Sequence, residues 1–357
     1  MTNALPPAPI VDLLARAGVP GASLGVVRRG ESRAFCVGVA DPISRRAVTP
    51  ATRFHLFSGT KLYTATALMR LVELGTVRLD ESVEDHLPDL TLRHPVTLRQ
   101  LASHASGLPD TLRAFLATHE SAGPTARAAL SRYRTDGGRR PGGRAAYRNV
   151  NFAILGALIA ACTESSFPAA MAGLVLEPLG VRPTFGVGTA RDDQDAVGSV
   201  PRFSLMKPLL RVLDPKAAGR LWGKTVGGLT TLRPFGLDTA AIGGLSGTAM
   251  DFLPLLKEML DPADGLLRAA SKTEMLSVQT VGRAGIVSRE GVGLAWKLGR
   301  VDGTEFWNHE GGGPGFCSET RIYPADGLGV VVLMNRSQTP RLSRVAHAIC
   351  EHVRRAS

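Results

Sequence analysis

The chain carries its clearest strand signals at its two ends. Near the C-terminus, LGVVVLMNR (328–336) is apolar at consecutive positions. Both faces of such a strand must be covered, as in the middle of a sheet. GFCSETRIYP (315–324) precedes it. Before that, GLAWKLGRV (293–301) and TEFWNHE (304–310) flank Asp302–Gly303, a tight-hairpin dipeptide. At the other end, ASLGVVRRGESRAFCVGVAD (22–41) is two β-rich runs around Arg29–Gly30. From about 111 to 280 the sequence reads mostly as helices and irregular loops, with few strand patterns and no internal repeat. RLSRVAHAICEHVRR (341–355) closes the chain with apolar residues at helical spacing.

These patterns predict one α/β (α+β) domain made from residues 1–75 and 283–357, with a mainly helical domain, 76–282, inserted. A cleft between the two is the expected place for a site. At 357 residues the chain can bury a large core, and 44% hydrophobic with 20% charged residues is ordinary globular composition. The net charge of +11 is mostly arginine spread along the chain, densest at Arg132–Arg144. With no long basic block and few neighbouring aromatics, it reads as a solvated surface rather than a nucleic-acid site. Cys36, Cys162, Cys317 and Cys350 form no C-x-x-C pair, which argues against zinc and for buried free thiols. The opening residues show no signal-peptide pattern, and NVNFAILGALIAAC is too short to span a bilayer. A cytoplasmic protein with no integral membrane segment is expected.

Several catalytic motifs are absent. There is no G-x-S-x-G elbow and no Walker A loop; His309-Glu310 lacks the second histidine of H-E-x-x-H, and Phe316 breaks G-x-G-x-x-G. What remains is S-x-x-K. Ser58 and Lys61 lie three apart in FSGTKLYTATALMRLVELG (57–75), which is apolar nearly all round and ends at Gly75. Three apart on a helix means one shared face. A lysine in such surroundings loses hydration, which favours the neutral amine, and a neutral amine can take a proton from a serine hydroxyl. The alternative is an N-cap serine beside a lysine reaching to solvent. A second copy, Ser204 and Lys207 in PRFSLMKP, has Pro208 directly after its lysine, which disfavours helical geometry there. It is set aside as a nucleophile.

Two further motifs follow in order: Tyr147-Arg148-Asn149 at the start of an uncharged buried helix, and His309-Glu310-Gly311 at a strand end. Together with GVPGASLGVV, LRQLASHASGLPD and GVGLAWKLG, the set resembles the serine β-lactamase and penicillin-binding-protein superfamily. Within it the chain is most similar to the branch of class C β-lactamases, family VIII carboxylesterases and D,D-peptidases. The resemblance implies an antiparallel sheet flanked by terminal helices with an inserted helical domain. It implies Ser58 as acylated nucleophile, Lys61 as its base or the base's partner, and Tyr147 as proton shuttle. Asn149 would bond the lysine and the acyl side of the substrate, and the N–H groups of Ser58 and Gly312 would form an oxyanion hole. No cofactor or metal is implied.

The departures bear on substrate. The branch's third motif is usually Lys-Thr/Ser-Gly, which attracts a carboxylate. Here it is His309-Glu310-Gly311: a weaker cation, and an acid that repels a carboxylate if it faces the cleft, although strand alternation could turn it away. With no export signal visible, an intracellular esterase acting on a small-molecule ester is the favoured reading. An acyltransferase comes next, then a D,D-carboxypeptidase or β-lactamase, with a non-catalytic ligand-binding homologue as the rival from another class. Arg148, where small residues are usual, is expected to face solvent. Ser199–Lys224, mixed apolar and basic, is expected to form an irregular wall, with a lid or acyl-chain groove as the sharper reading.

Overall fold

Turn chemistry and apolar alternation bring the two ends of the chain together in one sheet. The structure, a computed structural model, describes residues 6–109, 126–131, 135–185, 193–213, 215–235, 237, 239–282, 290–337 and 340–356. Residues 132–134 of the densest basic stretch and the expected boundary at 283 lie outside them. In chain order the strands are β1 (Gly21–Arg28), β2 (Glu31–Asp41), β3 (Arg46–Ala47), β4 (Phe54–His55), β5 (Thr184–Phe185), β6 (Ser199–Pro201), β7 (Trp222–Val226), β8 (Leu229–Leu232), β9 (Leu245–Gly247), β10 (Gly291–Val292), β11 (Lys297–Val301), β12 (Thr304–Gly313), β13 (Phe316–Tyr323) and β14 (Leu328–Met334). Eight form one antiparallel sheet in the order β10-β11-β12-β13-β14-β1-β2-β3. Both hairpin dipeptides adopt the left-handed conformation that a two-residue turn demands: φ is 47° and 85° at Arg29–Gly30, and 46° and 77° at Asp302–Gly303.

β14 is buried along its whole length, between β13 and β1. Its alternation serves two cores. Val330, Val332 and Met334 pack with Ile10 and Leu14 of the helix Ala8–Arg16, and with Leu342 and Ile349 of the C-terminal helix Pro340–Ala356. Val331 and Leu333 belong to the main core with Leu253 and Leu256 of the helix Ala249–Leu260. Burying each such side chain stabilises by about 1.5–3 kcal/mol, so neither face of this strand could be left open. Gly25 and Gly329 let the helix lie close: a Cβ at either would come within 3.0 Å of Leu253 or Leu256.

The helix Asn149–Cys162 is buried from Val150 to Ile159 and packs against the helix Thr60–Glu73. Among the described residues no single helix is long and apolar enough to cross a membrane. The bent pair Asn149–Cys162 and Phe167–Leu176 passes by length and composition, yet its apolar residues are packed in the main core. The span between the two ends differs from the sequence reading in two ways. It carries five short strands, which with β4 make the sheets β4-β9-β5 and β6-β8-β7. Their two to five residues are too few for alternation to show. Its helix Ala249–Leu260 also covers the large sheet, because the second face of β1 and β14 needs an apolar partner.

Candidate active site

Ser58 lies inside a single 3₁₀ turn, Phe57–Gly59, that leads into the helix Thr60–Glu73. It is not the helix N-cap; Gly59 is, and no side chain caps the turn or the helix. The turn is entered through strain. Phe57 has φ of 47°, a left-handed conformation that costs an aromatic residue on the order of 1–3 kcal/mol. Packing holds it there. The Phe57 ring sits among His55, Phe235 and Phe316, with centroids 5.7–6.4 Å away. The Leu56 N–H donates to the Leu245 carbonyl, and the Ser318 hydroxyl donates to the Leu56 carbonyl at 2.7 Å.

Lys61 is wholly buried, so it does not reach solvent. Its Nζ donates to Ser58 Oγ at 3.2 Å and to the Ile242 carbonyl at 2.7 Å. It also lies 5.1 Å from the centre of the Tyr147 ring and 5.7 Å from that of Phe152. Tyr147 thus closes on the amine from a segment 86 residues along the chain. Asn149, two residues on, is the first residue of the buried helix. The Tyr147 ring is flanked by His104 at 4.6 Å and His309 at 6.0 Å between centroids.

The tautomers of both histidines follow from their partners. His309 Nδ1 lies 2.7 Å from the Ala295 carbonyl, so Nδ1 carries the proton. Nε2 is then a bare acceptor, buried and with no hydrogen-bond partner among the described residues. His104 Nδ1 accepts the Arg148 backbone N–H at 3.3 Å and faces the Asn151 amide nitrogen at 3.4 Å, so its proton is on Nε2. Burial, then the charges of Lys61, Lys297 and Arg148, hold the His104 pKa well below the usual histidine range. For His309 the causes are burial, then Lys297 and Lys61. Both rings are neutral at physiological pH. The third motif therefore offers a lone pair, where the branch usually offers a cation.

Glu310 does not face the cleft. Strand alternation turns it to the face opposite His309, where it pairs with Lys297 at 2.9 Å. The Lys297 charge, outweighing burial, keeps its carboxyl below the usual range. Gly311 and Gly313 are needed for closeness. A Cβ on Gly311 would lie 2.1 Å from the Leu56 carbonyl, and one on Gly313 would lie 2.3 Å from the Phe57 ring. Gly312, between them, is paired with Cys317. The glycines let β12 pass directly beside the Ser58 turn.

Arg148 does not extend into solvent as expected. Its Nε donates to the Leu108 carbonyl at 3.1 Å and its guanidinium reaches the Tyr147 carbonyl at 3.4 Å. It folds back because the loop after His104 presents a carbonyl within its reach. The structure also adds His104, Ile242 and Ala295 to the neighbourhood. Ala295 has φ of 67°; its N–H is held by the Ala102 carbonyl while its own carbonyl orients His309. LRQLASHASGLPD and GVGLAWKLG carried His104 and Ala295 in plain sight, but nothing in either stretch said what they would meet, and Ile242 lies in neither. Among the described residues no group of three or more His, Cys, Asp or Glu could hold a metal ion.

Ser204 and Lys207 end elsewhere. Ser204 Oγ accepts the Met206 N–H at 3.2 Å, and Lys207 Nζ donates to the Arg202 carbonyl at 2.9 Å and to Thr230. Pro208 does not prevent a helix: Met206–Leu213 is helical, with the proline in its first turn, where no intrahelical N–H bond is lost. The helix is short and half exposed rather than long and buried.

The fold is shared with solved structures, and the sequence is similar to curated proteins. D-amino acid amidase from Ochrobactrum anthropi SV3, complexed with L-phenylalanine, superposes with a TM-score of 0.78 at 24% identity, covering 97% of this chain and 95% of that one. The octameric penicillin-binding protein homologue from Pyrococcus abyssi gives 0.77 at 23% identity, covering 96% and 76%. In sequence, penicillin-binding protein 4 of Amycolatopsis lactamdurans is 26% identical over 339 residues, 89% of this chain and 81% of that protein. Protein flp of Staphylococcus aureus (strain COL) is 22% identical over 343 residues; the match spans 92% of this chain and only 62% of flp. The Beta-lactamase family model matches residues 9–353, and the chain belongs to that family of serine hydrolases and acyl-transferring enzymes.

Proposed function

We propose that the protein hydrolyses a small-molecule ester through an acyl intermediate on Ser58. The observation that carries this reading is the buried Lys61 amine 3.2 Å from Ser58 Oγ, with the Tyr147 ring beside it. In the proposed cycle, neutral Lys61 or the Tyr147 phenolate takes the hydroxyl proton as Ser58 Oγ bonds to the ester carbonyl carbon. The oxyanion is met by the N–H groups of Ser58 and Gly312. Collapse breaks the bond to the alkoxide, which receives the proton. Water then attacks the acyl-serine, giving its proton to the same base; the bond from the acyl carbon to Ser58 Oγ breaks, Oγ takes that proton back, and the acid leaves. Ile242 holds Lys61 in place by accepting its second hydrogen bond. Asn149 is assigned the contact to the acyl side of the substrate. Transfer of the acyl group to an alcohol or amine would follow the same first half.

A second reading, an amidase, is favoured by one observation. The bare His309 Nε2 is an acceptor, so it suits a substrate with an N–H, ammonium or hydroxyl donor close to the scissile bond better than one with a carboxylate there. The likeness to D-amino acid amidase fits that preference.

The test is to incubate wild type and Ser58→Ala with a short-chain nitrophenyl ester, an amino-acid nitroanilide and a chromogenic cephalosporin, following colour and intact protein mass. The proposal expects ester turnover and an acyl adduct in wild type alone. Equal ester hydrolysis by both proteins would discard Ser58 as nucleophile. Faster turnover of the anilide would put the amidase first, and acylation by the cephalosporin alone would put the β-lactam reading first.

A further inference from the structure

The segment that carries the second serine–lysine pair builds an outward apolar face. The helix Met206–Leu213 has two apolar stripes. Leu210 is buried, and Met206 packs inward. On the other side, Leu205, Leu209 and Val212 recur at helical spacing and are 83%, 55% and 78% exposed, and Phe203 just before them is 88% exposed. These four are among the most exposed large apolar side chains described. Scattered exposed leucines are ordinary, but a contiguous set on one face signals contact with something apolar.

The charge around this face is one-sided. The stretch from Arg202 to Lys224 contains six lysines and arginines and a single carboxylate, Asp214. Arg202, Arg211 and Lys224 are exposed, and the Arg202 guanidinium lies 5.4 Å from the Phe203 ring centre. An apolar stripe bordered by cations matches an anionic lipid surface: the side chains enter the acyl boundary and the cations meet headgroup phosphates. A second copy of the chain fits less well, since an isologous contact would set this basic face against itself. A duplex nucleic acid would use the cations but not the stripe.

The face is joined to the Ser58 neighbourhood. The Ser199 N–H of β6 donates to the Gly315 carbonyl in the β12–β13 turn, the Leu232 N–H of β8 donates to the Gly198 carbonyl, and Phe235 packs on Phe57. We infer that Phe203, Leu205, Leu209 and Val212, with the bordering arginines, dock the protein on an anionic membrane surface and turn the Ser58 side of the molecule toward it. The contact itself is independent of which ester or amide Ser58 acts on.

Co-sedimentation with vesicles tests this without reference to activity. Vesicles of phosphatidylcholine alone are compared with equal parts phosphatidylcholine and phosphatidylglycerol, at low and high salt. Wild type is expected to partition onto the anionic vesicles and to be released by salt. The triple variant Phe203→Ser/Leu209→Ser/Val212→Ser should lose about tenfold or more in partitioning, and Arg202→Gln/Arg211→Gln about tenfold with a weaker salt dependence. All five positions are exposed, so thermal melts should match wild type; the arginine variant carries the test if the serine variant melts early. Failure of wild type to bind anionic vesicles would overturn the inference, as would binding by both variants that equals wild type. Sedimentation velocity showing a dimer that the serine variant abolishes would reassign the face to a second copy. Salt-sensitive retention of duplex DNA, lost in the arginine variant and kept in the serine variant, would reassign it to nucleic acid.

Discussion

Ser58–Lys61 and Ser204–Lys207 have the same spacing, yet only in the first pair does the lysine amine bond to the serine hydroxyl. Lys61 is closed in by Ser58, Ile242 and the Tyr147 ring, from three distant parts of the chain. Lys207 answers its own neighbourhood: the Arg202 carbonyl five residues back, Thr230, and the Trp222 ring at 5.8 Å. Burial, followed by the Arg202 charge, lowers the Lys207 pKa. A lowered pKa at Lys207 therefore does not make a site: its amine meets a threonine and a tryptophan ring, where Lys61 meets Ser58 and a tyrosine ring.

The comparison can be broken at Ser58 first. Ser58→Ala should cost about 10⁴-fold or more in kcat, whereas Ser204→Ala should leave turnover within about twofold; comparable losses from both would erase the distinction. Lys61→Met should lower kcat by about 10³-fold and, by leaving the Ile242 carbonyl unsatisfied, cost about 1–3 kcal/mol in denaturant melts. Lys207→Met should do neither. Next is Gly311→Ala. Its Cβ must push β12 away from Leu56, and a displacement of about 1 Å at a catalytic centre can cost about 10²-fold, so kcat should fall that far while the fold survives. If kcat is unchanged, the closeness of β12 has no catalytic meaning.

A smaller effect distinguishes the two regions by pH. His104 and His309 have folded pKa values depressed below the unfolded value near 6.5, so the unfolded chain binds their protons first. Stability is thus full above about pH 6.5 and falls with decreasing pH, by about 1.4 kcal/mol per pH unit for each histidine, until the folded-state pKa is passed. Glu310, also depressed, adds a loss of the same sign below the ordinary carboxylate range. Chemical denaturation across this range should show the slope, and His104→Asn or His309→Asn should each make it shallower. Lys297→Gln should raise the pH at which His309 titrates, because Lys297 is the largest charge acting on it.

Much of the architecture was legible locally. The Asp302–Gly303 and Arg29–Gly30 turns, the doubly apolar run of β14 and the uncharged helix after Tyr147 each follow from the φ angle or the faces that their residues demand. The short strands β5 to β9 were not legible, because pairing of so few residues depends on neighbours brought from elsewhere. The order of the three motifs pointed to the site, but the direction of Glu310, the tautomer of His309 and the fold-back of Arg148 did not follow from it.

What the sequence determined by itself was therefore the inventory: a serine and lysine on one helical face, a tyrosine opening a buried helix, and a glycine-rich strand end. These depend on spacing within a few residues, where backbone geometry alone dictates which side chains are neighbours. What the tertiary structure decided was their chemistry. Whether a lysine meets its serine, whether a histidine presents a proton or a lone pair, and whether an acid faces a cleft or a partner cation are settled by groups 13 to 181 residues away. Burial and charge act through space, and no local pattern records which space a residue will occupy.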